Sequence, residues 1–201
     1  IPGLMYRWQG EVVMNSRIPE FPLDTLPMPS YELINFPFYT RKVFGHKAMS
    51  VTTSRGCPYQ CSFCCKDVFG DTVRYFPIDK VIEEISYLKD FHKIKSIIFY
   101  DDTFVLDQGR LKELCGRLKK LKIYFRCNGN ARIDTDYNML YKSGCREIAF
   151  GIETGSQKIL DITHKGTTVA KNKKAIKDAQ KAGLIVKAFL MIGAPGESRE
   201  T

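Results

Sequence analysis

The chain has 201 residues, a mass of 23.0 kDa and 44% hydrophobic residues, which excludes a disordered chain and a disulfide-stapled mini-protein. Its net charge of +9 is uneven, with 12 Lys and Arg against 10 Asp and Glu in residues 1–100 and 19 against 12 in residues 101–201. No apolar run reaches the roughly 18 residues that cross a bilayer, and residues 1–30 carry no export signal, so we expect a cytoplasmic protein without a membrane span.

Residues 1–47 form the first segment. They hold more than half of the nine prolines and show no sustained hydrophobic period, so we expect a Pro-rich lead-in. Apolar residues such as Tyr31 and Phe36 are too many for a free linker, which predicts that the segment packs along a neighbouring surface. Because the chain begins with Ile1 rather than Met and ends just after an apparent helix start, we expect a fragment of a longer protein.

From residue 48 onward, short apolar or β-branched runs alternate with stretches whose hydrophobic period is about 3.6 residues. The spacing predicts strands over residues 48–54, 96–100, 123–127, 147–151 and 185–192. It predicts helices that begin after Pro77, Asp107, Asp134 and Thr168. This alternation requires crossover connections and therefore a parallel sheet, either closed as a barrel or open as a doubly wound fold. In both cases functional residues gather at the carboxyl ends of the strands.

A cysteine-rich loop follows the first predicted strand, where Cys57, Cys61 and Cys64 form a C-x3-C-x2-C triplet. Seven cysteines in a chain without an export signal indicate reduced thiols and a metal site rather than a disulfide framework. Thiolates on a tight loop bind soft metals or an iron–sulfur cluster, and three of them leave one iron of a four-iron cluster open. A structural zinc would need a fourth ligand, and the local choice, Cys65, directly follows Cys64, so that the two side chains diverge.

The triplet, with Phe63 before its last cysteine and placed after the first strand of an alternating chain, resembles the radical S-adenosylmethionine (radical SAM) superfamily. The resemblance implies an α/β fold, a partial (β/α)6 TIM-like barrel of parallel strands over residues 48–201, truncated before its last strand. It implies that Cys57, Cys61 and Cys64 hold a [4Fe-4S] cluster whose open iron binds SAM. Reductive cleavage of SAM would then release a 5′-deoxyadenosyl radical.

Two further strand ends resemble SAM-binding motifs of that family. Asp101 and Asp102 stand where many members carry Gly-Gly-Glu, which implies a contact to the SAM ammonium group. Glu153, within the sequence Gly-Ile-Glu-Thr-Gly-Ser, resembles the ribose-side motif and would accept hydrogen bonds from hydroxyl groups or the ammonium.

The stretch after the fifth strand resembles the adenine-side motif of the family. Its residues Ile192, Gly193 and Pro195 would pack the purine and allow the backbone to approach it. Phe63 is expected to shield the site, because a carbon radical survives only where water and stray hydrogen donors are excluded.

Arg132 follows the third strand and lies on the same predicted rim. It is a weaker candidate for pairing with the SAM carboxylate, and an ion pair with Asp134 or Asp136 is an open alternative. Cys127, at the end of the third strand, is a weak candidate for a functional thiol, whereas Cys115 is expected in the core.

The whole chain resembles the branch of the superfamily whose members often carry a cobalamin-binding domain ahead of the radical domain. The Pro-rich residues 23–29 and the Asp101-Asp102 pair carry this likeness. It implies that residues 1–47 lead in from an N-terminal cobalamin domain, and that cobalamin is a cofactor of the longer protein.

The function implied is methylation, cyclisation or another radical modification of a small metabolite, with an electron donor that reduces the cluster. The cofactors would break the bonds, while the protein places them and excludes water. Two alternatives stay open: a radical SAM enzyme that modifies RNA, suggested by the basic second half, and a non-catalytic iron–sulfur or zinc module. The lysine run of residues 171–181 has helical spacing and is interpreted as a solvated helix face.

Overall fold

The computed structural model describes residues 3–16, 22–39, 41–66, 68–199 and 201, which form ten strands and six α-helices. The strands are β1 (Met5–Trp8), β2 (Glu11–Met14), β3 (Arg41–Val43), β4 (His46–Val51), β5 (Ser54–Arg55), β6 (Arg74–Tyr75), β7 (Ser96–Phe99), β8 (Tyr124–Gly129), β9 (Cys145–Glu153) and β10 (Ile185–Leu190). The helices are α1 (Phe36–Tyr39), α2 (Ile78–His92), α3 (Gln108–Leu121), α4 (Tyr137–Lys142), α5 (Gln157–Ile162) and α6 (Val169–Lys181). None of these helices has the length and apolar character that crossing a membrane requires.

The main sheet has six strands in the order β10-β9-β8-β7-β4-β3. The strands β4, β7, β8, β9 and β10 are mutually parallel and correspond to the five predicted strands. They form a half-barrel, so the predicted partial TIM-like barrel is confirmed. The edge strand β3 was not predicted. It pairs antiparallel with β4 through a tight turn at Phe44 and Gly45, which have φ of 49° and 76°.

Helix starts mostly follow the sequence prediction. Asp107 and Thr168 cap α3 and α6, each accepting a hydrogen bond from a backbone N–H, at 2.9 and 3.1 Å. α4 begins later than predicted because Asp136, rather than Asp134, caps it. The predicted solvated face of α6 is confirmed, since the helix buries Asn172 and two alanines and exposes most of its lysines. α5 was not predicted.

The central strand β8 of the half-barrel has a buried outer face and a more polar inner face, whereas all four residues of β7 are buried and β10 has no buried residue. In β8, Phe125 and Cys127 are fully buried, while Arg126 and Asn128 lie on the opposite face. The largest fully buried side chains come from the strands and from the helices that cover them: Phe99, Phe125, Phe150, Ile85, Leu88, Ile97, Leu111, Leu114, Leu118 and Leu140. The helices therefore cover the outer face, and the carboxyl edge of the strands stays available for binding.

The lead-in is partly folded. β1 and β2 form an antiparallel hairpin whose turn, at Gln9 and Gly10, has φ of 48° and 86°. Its strands expose residues on both faces, so they lack the alternation that predicts a strand. Tyr31 is 4% exposed, donates a hydrogen bond to the Glu84 carboxylate on α2 and stacks on Tyr87. Residues 1–2, 17–21 and 40 of the predicted lead-in lie outside the described residues.

Candidate functional site

A small hairpin clamps the cysteine loop at both ends, because β5 before the loop pairs antiparallel with β6 after it. Gly56 opens the loop with φ of +94°, and a Cβ there would lie 2.2 Å from the Thr72 carbonyl oxygen. Only glycine fits this position without moving the backbone. Within the loop, the Cys64 N–H donates to the Cys61 carbonyl oxygen at 3.1 Å, which holds these two cysteines in one turn.

The loop opens on a cavity of about 260 Å³ at the carboxyl ends of the central parallel strands. Cys57, Cys61, Phe63 and Cys64 line it from the loop. From other elements it is lined by Asp102, Asn128, Arg132, Glu153, Lys165 and Phe189. Most of the predicted site residues therefore share one cavity, since parallel strands bring their carboxyl ends to one edge.

The three thiols of the triplet are free and accessible to different degrees: Cys64 is exposed, while Cys57 and Cys61 are half-buried. Cys57 Sγ lies 3.9 Å from the Thr103 hydroxyl oxygen. Partial burial raises the pKa of the Cys64 thiol, the neighbouring cysteines raise it further, and the Lys66 charge opposes them. The loop thus gathers three sulfur donors with a cationic side chain close by.

The two adjacent carboxylates predicted to contact SAM occupy different environments. Asp102 is exposed and lines the cavity. Asp101 is 1% exposed and accepts hydrogen bonds from the Thr53 N–H at 3.1 Å, the Thr53 hydroxyl at 2.7 Å and the Ser54 hydroxyl at 2.5 Å. The Asp101 carboxylate is therefore engaged at the start of the cysteine loop. The expectation for Asp101 is corrected, and of the two adjacent carboxylates Asp102 remains the candidate SAM contact.

Arg110 of α3 joins the same end of the loop, and sequence reasoning missed it. Its guanidinium donates to the carbonyl oxygens of Thr53 at 3.3 Å and Phe76 at 2.7 Å. Burial raises the pKa of the Asp101 carboxyl, while the hydrogen bonds from Ser54 and Thr53 lower it. The sequence did hold a signal for this network. Thr53 and Ser54 are two hydroxyl residues at the end of the predicted strand, and buried polar side chains need hydrogen-bond partners.

Glu153 lines the cavity as predicted, but it is already paired. Lys165 Nζ lies 2.7 Å from its carboxylate, and the two side chains are 13% and 12% exposed. The same ammonium lies 5.5 Å from the centre of the Phe63 ring, so Phe63 covers this ion pair. A Cβ at Gly151 would lie 2.4 Å from a Glu153 carboxylate oxygen, so a larger residue there would displace the ends of the two paired side chains.

The stretch predicted to hold adenine lies mainly outside this cavity. Ile192 is 93% exposed, and neither Gly193 nor Pro195 is among the described residues that line the cavity. Phe189, which was not among the predicted adenine contacts, lines the cavity from β10. The Gly193 N–H donates to the Glu197 carboxylate, which closes the loop on itself.

Arg132 reaches the cysteine loop rather than its own neighbours. One guanidinium N–H donates to Cys61 Sγ at 3.2 Å, and the guanidinium lies 4.0 Å from the centre of the Tyr59 ring. Among the described contacts, neither Asp134 nor Asp136 pairs with it, so the ion-pair alternative is wrong.

Three further cysteines, one on α3 and two in the sheet, lie away from the cavity. Cys115, Cys127 and Cys145 are at most 1% exposed and belong to the core. Burial raises the pKa of the Cys115 thiol to about 11. The core assignment of Cys115 is confirmed. The Cys127 side chain of β8 packs in the core, so it does not lie at the rim of the sheet.

The donor set fits an iron–sulfur cluster better than a single metal ion. Within the described part of the chain, no three His, Cys, Asp or Glu side chains converge as ligands of one ion. A cluster makes no such demand, because each thiolate binds a different iron. Moreover, Lys66 Nζ and Arg132 Nε are buried without a hydrogen-bond partner among the described residues. Unused hydrogen-bond donors on two cationic side chains beside three thiols suit an anionic cofactor.

A larger cavity, of about 480 Å³, lies between the lead-in and α2. Two of its charged groups are already engaged: the Tyr31 hydroxyl donates to Glu84, and the Lys80 ammonium donates to the Leu26 carbonyl oxygen at 3.1 Å. The smaller cavity is the candidate site, because it alone of the two holds the sulfur donors of the triplet.

Comparisons with known proteins show the family of the chain. The family model of the radical SAM superfamily matches residues 51–201. An uncharacterized methyltransferase of Pyrococcus horikoshii is 36% identical over 100% of this chain and 44% of its own length. An anaerobic magnesium-protoporphyrin IX monomethyl ester cyclase of Cereibacter sphaeroides is 28% identical over 100% of this chain and 34% of its own.

One solved structure with the same fold is the radical S-adenosylmethionine methyltransferase TsrM from Kitasatospora setae, with cobalamin and a [4Fe-4S] cluster bound. The TM-score is 0.77 at 20% identity, over 100% of this chain and 43% of that one. This chain thus spans less than half the length of each of these proteins. Because the family model covers residues 51–201, including the whole cysteine loop, the chain belongs to the radical SAM superfamily of enzymes.

Proposed function

We propose that this chain is a radical SAM core in which Cys57, Cys61 and Cys64 hold a [4Fe-4S] cluster and SAM binds beside it. The observation that carries the proposal is that the three thiols open into one cavity with Asp102, Glu153 and the cationic side chains of Lys66 and Arg132, each of which has a buried nitrogen without a hydrogen-bond partner among the described residues. When bound, the cluster and SAM supply reductive cleavage to a 5′-deoxyadenosyl radical, which takes a hydrogen atom from the substrate.

The chain's own residues would bind SAM and shield the cavity from water. Asp102 is exposed in the cavity and offers a carboxylate to the SAM ammonium group. Glu153 is held in place by Lys165, which leaves its remaining lone pairs for hydroxyl or ammonium donors. Phe63 covers this side of the cavity and limits the access of water.

The edge formed by Ile192, Gly193 and Pro195 stays the proposed adenine contact. The high exposure of Ile192 leaves apolar surface free to pack against a purine at the end of β10. Phe189, which lines the cavity from the same strand, provides apolar surface closer to the cysteine loop.

The proposed reaction is methylation, cyclisation or a related radical modification of a small metabolite. Methyltransferases and a cyclase are both among the similar proteins, and TsrM holds cobalamin. We therefore propose cobalamin as a further cofactor of the complete protein, through an N-terminal cobalamin domain to which residues 1–47 lead, and an external electron donor. RNA stays the alternative substrate, because α6 exposes a lysine-rich face on which Lys174 pairs with Asp178 at 2.7 Å.

An anaerobic assay tests this function. The protein is reconstituted with iron and sulfide, reduced with dithionite and supplied with SAM, and 5′-deoxyadenosine is measured. We expect 5′-deoxyadenosine to form only with the reduced, cluster-loaded protein. A fully loaded protein that never cleaves SAM would contradict the proposal, and salt-sensitive binding of RNA by that protein would favour the RNA alternative.

A further inference from the structure

Two nitrogen atoms of cationic side chains in the candidate site lack hydrogen-bond partners. Lys66 Nζ is a buried atom without a hydrogen-bond partner among the described residues, and so is Arg132 Nε. Both residues line the cavity that contains Cys57, Cys61 and Cys64. Burying a cationic group without a partner is unfavourable, so this arrangement suits an anionic group in the cavity.

The position of Arg132 indicates which anionic group it serves. Its guanidinium already donates to Cys61 Sγ at 3.2 Å. The Tyr59 ring, from the cysteine loop, lies 4.0 Å from the guanidinium and restricts where it can point. The backbone N–H of Arg132 donates to the Asn130 side chain at 3.0 Å, which fixes the chain at the base of the side chain. These contacts orient the Arg132 guanidinium toward the Cys61 sulfur.

Lys66 lines the same cavity from the cysteine loop, two residues after Cys64. Its ammonium has three donors and finds no acceptor among the described side chains. Arg132 thus contacts the second cysteine of the triplet, and Lys66 shares the cavity with all three and acts by its charge on the third.

We propose that Arg132 and Lys66 raise the reduction potential of the cluster. This inference rests on the proposed function, because it requires that the triplet hold a cluster. One electron, taken from an external donor, adds one negative charge to the cluster and its thiolates. A hydrogen bond to a ligating sulfur and a nearby positive charge stabilise the reduced state more than the oxidised state.

A redox titration of the anaerobically reconstituted protein tests the inference. Arg132→Met and Lys66→Met are expected to shift the midpoint potential of the cluster to more negative values, with a larger shift in the double variant. Lys173→Met removes the same charge from an exposed position on α6 and is expected to leave the potential unchanged. Tyr59→Leu keeps every charge but frees the guanidinium, so a smaller negative shift is expected, and this variant serves if Arg132→Met loses the cluster.

Iron content and SAM affinity, measured on the same samples, separate the outcomes. If the wild-type protein retains no cluster, the proposed function fails. If every variant keeps the full iron content and the wild-type potential, the inference on Arg132 and Lys66 is overturned while the proposed function stands. Weaker SAM binding at an unchanged potential would also overturn it, by assigning the two charges to the SAM carboxylate.

Discussion

Replacing Cys57 with alanine is expected to abolish retention of the iron–sulfur cluster, with iron falling from about four atoms per chain to background. The reason is that two thiolates remain on the loop, which leaves two irons of the cluster without a protein ligand. Cys115→Ala is the matched control, because this thiol lies in the core and is 1% exposed. It should keep the full iron content after anaerobic reconstitution, measured together with the circular dichroism of both variants.

Cys65 makes this test sharper because it lines the same cavity as the triplet. If only Cys57, Cys61 and Cys64 are ligands, Cys65→Ala should retain both the cluster and SAM cleavage. Equal iron content in the Cys57→Ala and Cys115→Ala proteins would contradict the assignment of the triplet.

Replacing Asp101 with alanine is expected to lower the free energy of unfolding by about 3 kcal/mol or more, since each buried donor left unpaired costs about 1–3 kcal/mol. The lost carboxylate accepts from the Thr53 N–H and hydroxyl and from the Ser54 hydroxyl. Chemical denaturation followed by circular dichroism measures the change.

The neighbouring Asp102→Ala provides the control for this prediction. Asp102 is exposed, so the free energy of unfolding of the Asp102→Ala protein should stay within about 0.5 kcal/mol of the wild-type value. If the two variants were equally stable, Asp101 would not anchor the start of the cysteine loop.

The architecture and the gathering of the site could be predicted from the sequence. Alternating periods predict a parallel sheet, and in such a sheet the residues after successive strands meet at one edge. Cys57, Asp102 and Glu153 therefore reach one cavity although they are far apart in the chain.

The direction of individual side chains could not be predicted. Asp101 and Asp102 are adjacent and chemically identical, and which of them enters the cavity depends on how the chain leaves β7. Arg132 has carboxylates two and four residues away, yet it donates to Cys61, because the fold of the loop decides which acceptor is near. Lys165 was likewise visible only as a loop residue until the structure paired it with Glu153.

The extra elements had a weaker signal for a different reason. The hairpin of β3 and β4 turns at Phe44 and Gly45, where a non-glycine residue has positive φ. A single glycine after an aromatic residue is a weak turn signal compared with Asn-Gly or Asp-Gly. The three-residue strand β3 is also too short to show a period.

SAM can bind to the cluster only if one iron has no cysteine ligand. The most direct measurement is electron–nuclear double resonance of the reduced, reconstituted protein with SAM isotopically labelled in its amino or carboxylate group. We predict hyperfine coupling between the cluster and the labelled atoms, as direct coordination requires. A cluster whose spectrum is the same with and without SAM, and which shows no coupling to the label, would contradict the account.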